Sequence, residues 1–190
     1  AFPWYDPSRL DPDVNRPESR NELGFSADDI VVISVRKHDS VYGVGYMIEA
    51  IPLILRREPR AKFLILGEGR FTSQFKKRAI KQINEGSVRF LGSVQHRDVA
   101  KYLNVSDIYI STSLSDGTSA SLLEAMTCSL APVITDIPAN KEWIQDGWNG
   151  CLIPTRNVPQ LVQKVIWMAK EEETRLEISK NSLETIRTKV

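Results

Sequence analysis

Residues 107–136 read DIYISTSLSDGTSASLLEAMTCSLAPVITD, and the change of period inside this stretch decides the fold. From Asp107 to Ser111 the run mixes β-branched, aromatic and small residues, as a buried strand does. After Ser113 the chain turns polar, and Leu122, Leu123, Ala125 and Met126 then recur at helical spacing until a second strand begins near Ala131. The order is strand, small-residue loop, helix, strand. Between Gly117 and Ser121 no side chain is bulky, so backbone N–H groups and the positive end of the helix lie open to an anion such as phosphate. Asp116 and Glu124 flank this loop, at the strand exit and in the first helical turn, and both carboxylates can point into one crevice. Carboxylates beside an anion site suit sugar hydroxyls.

The same residues admit a purely structural reading. Ser121-Leu-Leu-Glu124 matches a capping box, in which Ser121 accepts from the N–H of Glu124 and Glu124 reaches back to the cap. Asp116-Gly117 matches an ordinary turn. Local spacing leaves both readings open, and the wider chain has to separate them.

At 190 residues the chain has room for one large domain, or one half of a two-domain protein, with a substantial core. Its 25 basic and 24 acidic residues cancel to a formal +1, which gives no whole-chain field for nucleic acid. Lys76, Lys77, Arg78 and Lys81 read as a solvated helix face, and no nucleic-acid partner is expected. Cys128 and Cys151 have neither metal nor redox spacing and read as buried thiols of a reducing compartment. Two lone histidines cannot build a metal site, and Asp11-Pro12-Asp13 resembles a metal-binding Asp-x-Asp only in spelling, so no metal is expected. No apolar run reaches membrane-span length, and AFPWYDPSRLDP has neither the basic start nor the apolar core of a signal peptide, so the chain reads as cytoplasmic. With Ala1 in place of an initiator Met and a proline-rich opening, it looks like a piece of something longer. Residues 1–27 read as an interdomain linker without a packed pattern, 28–171 as one domain and 172–190 as a C-terminal helix.

From Ile30 the pattern is regular. IVVISV reads as a strand, followed by a helix from about Val44 to Arg57 whose Pro52 kinks it or lies in its first half. AKFLILGEG, a helix from Phe71 to about Asn84, and a strand from Val88 to Leu91 follow. A helix from His96 to Leu103 leads to the strand at Asp107. Beyond the central stretch come a short helix over Ala139 to Gln145, the strand GCLIP, a helix over Val158 to Ala169 and a charged terminal helix. Strands separated by helix-length segments imply parallel crossovers, hence an α/β, doubly wound, Rossmann-like parallel sheet. Ligands of such sheets bind beyond the carboxyl ends of the strands.

The loop after the first strand carries Arg36, Lys37 and His38, with Gly43 before the helix. Arginine grips two phosphate oxygens at once and lysine adds a point charge, so the pair suits a diphosphate; a solvated basic loop is the plainer alternative. His38 is placed to polarise a phosphate, and His96 reads as a surface or capping residue. Gly67-Glu68-Gly69 and Gly92-Ser93-Val94-Gln95 either let backbone approach a ring system or are ordinary turn chemistry. Neither a Gly-x-x-x-x-Gly-Lys-Ser/Thr loop nor a Gly-x-Gly-x-x-Gly follows the first strand, which disfavours nucleoside triphosphate hydrolysis and dinucleotide binding.

Taken together, SDGTSASLLEAMTCSLAPVITD resembles the donor-site segment of retaining GT-B glycosyltransferases of the group 1, family 4 type, in which an acidic residue, a glycine loop and Glu-Ala-Met precede a Pro-Val strand. The resemblance continues through VVISVR, YGVGYMIEAI, FLILGEG, VRFLGSV and WNGCLIP in the family's order. It covers nearly all of residues 30–170, and Asp6-Pro-Ser-Arg with Pro17 before Leu23-Gly24 resembles the segment joining the family's two domains. It implies the C-terminal, donor-binding half of an enzyme that moves a sugar from a nucleoside-diphosphate sugar to a hydroxyl with retention, without a cofactor. The acceptor would be a glycan, a lipid-linked molecule or a small molecule, held by the N-terminal domain. Such a piece alone is expected to bind donor weakly and turn over little or nothing, with any membrane association coming through the other half.

Residue by residue, Glu124 matches the glutamate that holds the donor ribose, and Asp116 stands where an acidic residue contacts the donor sugar. Arg36 matches the arginine that neutralises the leaving phosphate. Gly117 and the backbone N–H groups of Thr118, Ser119, Ala120, Ser121 and Leu122 would face sugar and diphosphate, with Lys37, Gly67 and Val94 completing the donor-binding set. Two departures stand out: Asp116 is aspartate where glutamate is usual, and Tyr42 replaces a common phosphate-binding lysine, for which Lys37 would compensate. Ile137-Pro-Ala-Asn is also less open to an acceptor than the family's small-residue loop. These departures make a non-catalytic sugar-nucleotide-binding or assembly module the competing class. A GT-B epimerase or phosphorylase is a third, the latter lacking a visible lysine motif for its cofactor.

Overall fold

The computed structural model describes Leu10 and residues 16–190; Asp6-Pro-Ser-Arg and Asp11-Pro12-Asp13 lie outside the described residues. Six short, mostly apolar runs form the strands β1 (Ile30–Val35), β2 (Ala61–Leu66), β3 (Val88–Gly92), β4 (Ile108–Ser111), β5 (Ala131–Thr135) and β6 (Cys151–Ile153). They pair in parallel in the order β3-β2-β1-β4-β5-β6. A sheet covered on both faces leaves its central strands no polar side, which is why IVVISV and IYIS run almost without polar interruption.

Along each strand, side chains alternate between two cores. Val32, Phe63, Ile65, Ile108, Ile110 and Val133 pack under α2 (Val44–Leu55), α3 (Thr72–Arg78) and α8 (Val158–Lys170). Val31, Ile33, Leu64, Leu66, Tyr109 and Ile134 pack under α5 (His96–Asn104), α6 (Ala120–Thr127) and α9 (Glu172–Lys189). The remaining helices are α1 (Arg16–Glu22), α4 (Ile80–Asn84) and α7 (Pro138–Lys141). Both cysteines are buried, and burial pushes the Cys151 thiol up to about 11, where it stays protonated and unreactive.

Connections wind outward from β1 to β3, then return to lay β4 on the other side of β1. The loops leaving β1 and β4 therefore part in opposite directions and open a crevice between them. Ile33 lies opposite Tyr109, which brings Val35 level with Ser111 at the mouth of that crevice.

Several element boundaries differ from the sequence expectation. The helix expected over Phe71 to Asn84 breaks at Ala79 (φ −97°, ψ 11°) into α3 and α4. Pro52 lies in the second half of α2, on a turn ending beside exposed Leu53, where loss of one backbone donor costs least. The helix expected over Ala139 to Gln145 is the shorter α7, and α9 is packed, with Ile178 and Ile186 buried. Within the expected linker, α1 is docked on the amino ends of the strands. Arg20 of α1 is buried and donates to Val105 O (3.3 Å), Ser26 O (3.3 Å), Asp29 O and Asp107 Oδ2 (3.2 Å). Asp107 Oδ2 also accepts the N–H of Val31 (2.7 Å), and Arg16 donates to Asp107 Oδ1 (2.6 Å).

Candidate functional site

Arg36 is the first residue beyond β1, and its guanidinium crosses the β1/β4 crevice. Its Nε donates to Ser111 Oγ at the end of β4 (3.0 Å), and Nη2 donates to Ser119 Oγ (2.6 Å). Nη1 lies 2.8 Å from Asp116 Oδ2, close enough for an ion pair but not aligned as a hydrogen bond. Tyr42 lies with its ring 5.6 Å below the guanidinium. The charge is thus held over the start of α6 by an aromatic face, two hydroxyls and a carboxylate. Sequence reasoning found Arg36, Asp116 and Ser119 but not their mutual contact, nor Ser111.

Two backbone approaches fix this loop. Gly67 has φ +110°, and a Cβ there would sit 2.1 Å from Arg36 O. Gly43 has φ +60°, and its Cβ would sit 2.1 Å from Thr112 O; its own carbonyl accepts from Thr112 Oγ1 (2.9 Å). Neither position has room for a side chain. Gly117 differs, since a Cβ there would meet nothing within 4 Å; the space over the loop is open.

The cap of α6 is Ser119, not Ser121. Ser119 Oγ accepts from Leu122 N–H (3.3 Å), so this amide is turned into the helix rather than toward a ligand, and the Ser121–Glu124 capping box of the alternative structural reading is absent. Ser121 instead bonds Tyr109 Oη (2.8 Å) and Ser119 Oγ (3.2 Å), which ties α6 to β4. Thr118, Ser119, Ala120 and Ser121 do line the loop and first turn, and the N–H groups of Ala120 and Ser121 have no acceptor within the described residues. Glu124, a turn further on, is 5% exposed and faces α5, where its Oε1 lies 2.5 Å from His96 Nε2. Burial raises the Glu124 carboxyl above its ordinary value, and the His96 contact opposes that rise. His96 lies at the surface, about half exposed, but it is paired with Glu124 rather than capping α5, whose cap position is Gln95. No sequence spacing joins positions 96 and 124; only the packing of α5 on α6 does.

Lys37, Gly67 and Val94 meet in a cleft of about 340 Å³ between the exits of β1, β2 and β3, beside Arg36. The Lys37 ammonium is mostly exposed and pairs with Asp39 (3.1 Å). His38 is not at the crevice. The chain after Lys37 turns inward, and the ring is fully buried between Phe75 and Phe90 with Nδ1 on Thr72 Oγ1 (2.8 Å). Desolvation lowers its basicity, which holds it as a neutral core residue. Asn140 of α7 donates to Thr135 O (2.7 Å), closing the loop after β5 on itself. Among the described residues no three His, Cys, Asp or Glu side chains gather as a metal site would need. A cavity of about 410 Å³, lined in part by Arg16, Arg20, Asp107 and Arg175, lies at the opposite, amino end of the strands.

Comparison with known proteins bears on this geometry. The family model described as glycosyl transferases group 1 matches residues 15–185. An N-acetylgalactosaminyltransferase acting on a diphospho-undecaprenol substrate in Campylobacter jejuni is 30% identical over 104 residues, covering 55% of this chain and 27% of its own length. Alpha-monoglucosyldiacylglycerol synthase of Acholeplasma laidlawii is 23% identical across 86% of this chain and 40% of its own. The chain thus spans between about a quarter and two fifths of these relatives. The crystal structure of the C-terminal domain of a group 1 glycosyl transferase, LpcC of Francisella tularensis, superposes with a TM-score of 0.84 at 21% identity, covering 97% of each chain. Anabaena HepE in complex with UDP superposes at 0.84 and 18% identity over 97% of this chain and 51% of its own. No helix among the described residues is long and apolar enough to cross a membrane. The match over nearly the whole chain and the shared sheet place this chain in the glycosyl transferases group 1 family, with the fold of that family's C-terminal GT-B half.

Proposed function

We infer that this chain is the donor-binding half of a retaining glycosyltransferase. The observation that carries the reading is the Arg36 guanidinium, held at the reversal point of the sheet and facing an uncrowded loop at the start of α6. A diphosphate placed there meets a planar charged fork from one side and the positive end of a helix from the other. Glu124 then takes ribose hydroxyls, the cleft of Lys37, Gly67 and Val94 takes the base, and Asp116 meets the sugar. In the reaction the bond from the anomeric carbon to the diphosphate breaks while an acceptor hydroxyl bonds to that carbon from the same face and gives its proton to the departing diphosphate. Positive charge beside the departing phosphate offsets the negative charge that grows on it, and the site's work is positioning and electrostatics. The acceptor belongs to the N-terminal half, as does any contact with a membrane, and the reading places the chain in the cytoplasm.

The Lys37–Asp39 pair favours one second reading, a binding module without turnover, because it withdraws a cation from the phosphate side. Calorimetry with UDP, GDP and ADP tests the first claim, and the donor-binding reading fails if none of them binds. Donor hydrolysis or transfer by the two-domain protein separates enzyme from module.

A further inference from the structure

Glu124 is almost completely withdrawn from water, yet its side chain reaches only one polar partner among the described residues, His96 on a different helix. We propose that His96 is a positioning residue for the donor's ribose, fixing the direction of the Glu124 carboxylate through Oε1 and leaving Oε2 to accept from ribose hydroxyls. The proposal rests on the donor-binding reading above and deepens it.

The geometry supports this in two ways. First, the 2.5 Å contact is of the short, charge-assisted kind, which holds a rotatable carboxylate better than a neutral bond does. Second, Oε2 has no partner among the described residues. Burial works against ionisation of Glu124, and among titratable and charged side chains only His96 acts on it; Arg97 and Asp98 on α5, Arg175 and Lys189 on α9, and Arg36 and Asp116 before α6 do not. Removing the imidazole therefore leaves a carboxyl that is freer to turn and that holds its proton to higher pH.

The test compares wild type, His96→Ala and His96→Gln of the 190-residue chain. Two readouts are followed against pH: the carbon-detected titration of the Glu124 carboxyl without nucleotide, and affinity for whichever of UDP, GDP and ADP binds tightest. In His96→Ala the Glu124 midpoint moves to higher pH, and nucleotide affinity at neutral pH falls on the order of tenfold, the worth of one hydrogen bond to a charged group. His96→Gln, which keeps a nitrogen donor, restores most of both. An unchanged Glu124 midpoint in His96→Ala overturns the proposal, whether or not nucleotide binds. If nucleotide binds the wild type and His96→Ala equally well, the proposal falls while the donor site stands. If no nucleotide binds but the midpoint shifts and Gln restores it, His96 still directs Glu124, and it is the donor reading that fails.

Discussion

Arg20 with Asp107 and Arg36 with Asp116 bring the same two groups together at opposite ends of one sheet, and the partners around them differ in kind. At the amino end, Arg20 spends its donors on carbonyls of Val105, Ser26 and Asp29, while Asp107 also takes the N–H of Val31. These are main-chain groups that cannot leave without unfolding the strand ends. At the carboxyl end, Arg36 is held by the hydroxyls of Ser111 and Ser119 and by a carboxylate, all side-chain groups that can turn aside. An arginine bound to backbone fastens the fold, whereas one bound to rotatable side chains is available to a ligand. Burial alone does not distinguish them, since the Arg20 and Arg36 side chains are each 9% exposed.

The hardest test of this contrast is Asp107→Ala. It leaves a buried guanidinium and a strand N–H without their acceptor and should cost about 3 to 5 kcal/mol, read from the denaturation midpoint. Nucleotide affinity of the remaining folded fraction should not change; a stable Asp107→Ala protein with damaged binding would reverse the roles given to the two ends. Arg36→Lys keeps the charge and loses the fork. Affinity for a nucleoside diphosphate should fall by about 1.5 to 3 kcal/mol, with a smaller fall for the monophosphate and little change in stability. In a two-domain enzyme of the kind proposed it should lower kcat more than it raises KM, because on that reading the charge it meets grows toward the transition state. Equal losses for mono- and diphosphate would mean that Arg36 is only local charge.

Ser119→Ala joins the two kinds of role. Losing the α6 cap should cost about 1 kcal/mol of stability, and Arg36 loses one of its two hydroxyl partners, so diphosphate affinity should drop slightly as well. A change in stability with no change in affinity would confine Ser119 to capping. The smallest effect concerns pH. Because the folded-state Glu124 carboxyl lies above its unfolded value, protonation favours the fold; that contribution is present at low pH and is lost as pH rises through the folded value. Glu124→Gln should remove this part of the pH dependence of Tm, and an unchanged profile would show that burial of Glu124 is incomplete in solution.

The strands were legible because a sheet covered on both sides demands nearly continuous apolar runs, and the strand expected from near Ala131 is β5, which begins there. The crevice followed from the alternation of strands with helix-length segments. What the sequence did not reveal was the direction of side chains at element ends. Ser119 and Ser121 are both small hydroxyl residues before an apolar run, and either can cap; the choice is made by Tyr109, whose Oη engages Ser121 from the neighbouring strand. His38 and Lys37 are adjacent in a basic loop, yet the turn back into the core sends one inward and leaves the other in solvent. α1 was hidden because its anchor, Asp107, lies far along the chain and only Arg20 and Arg16 betray it.

The close approaches at Gly43 and Gly67 bear on redesign of the molecule. Main chain touches main chain on both sides of the Arg36 loop, with no space for a single methyl group at either point. On the donor-binding reading proposed, a designer seeking a different nucleotide preference would vary the residues lining the 340 Å³ cleft without moving the frame that carries the arginine. Changes at the two glycines would shift the frame itself, and with it every preference at once.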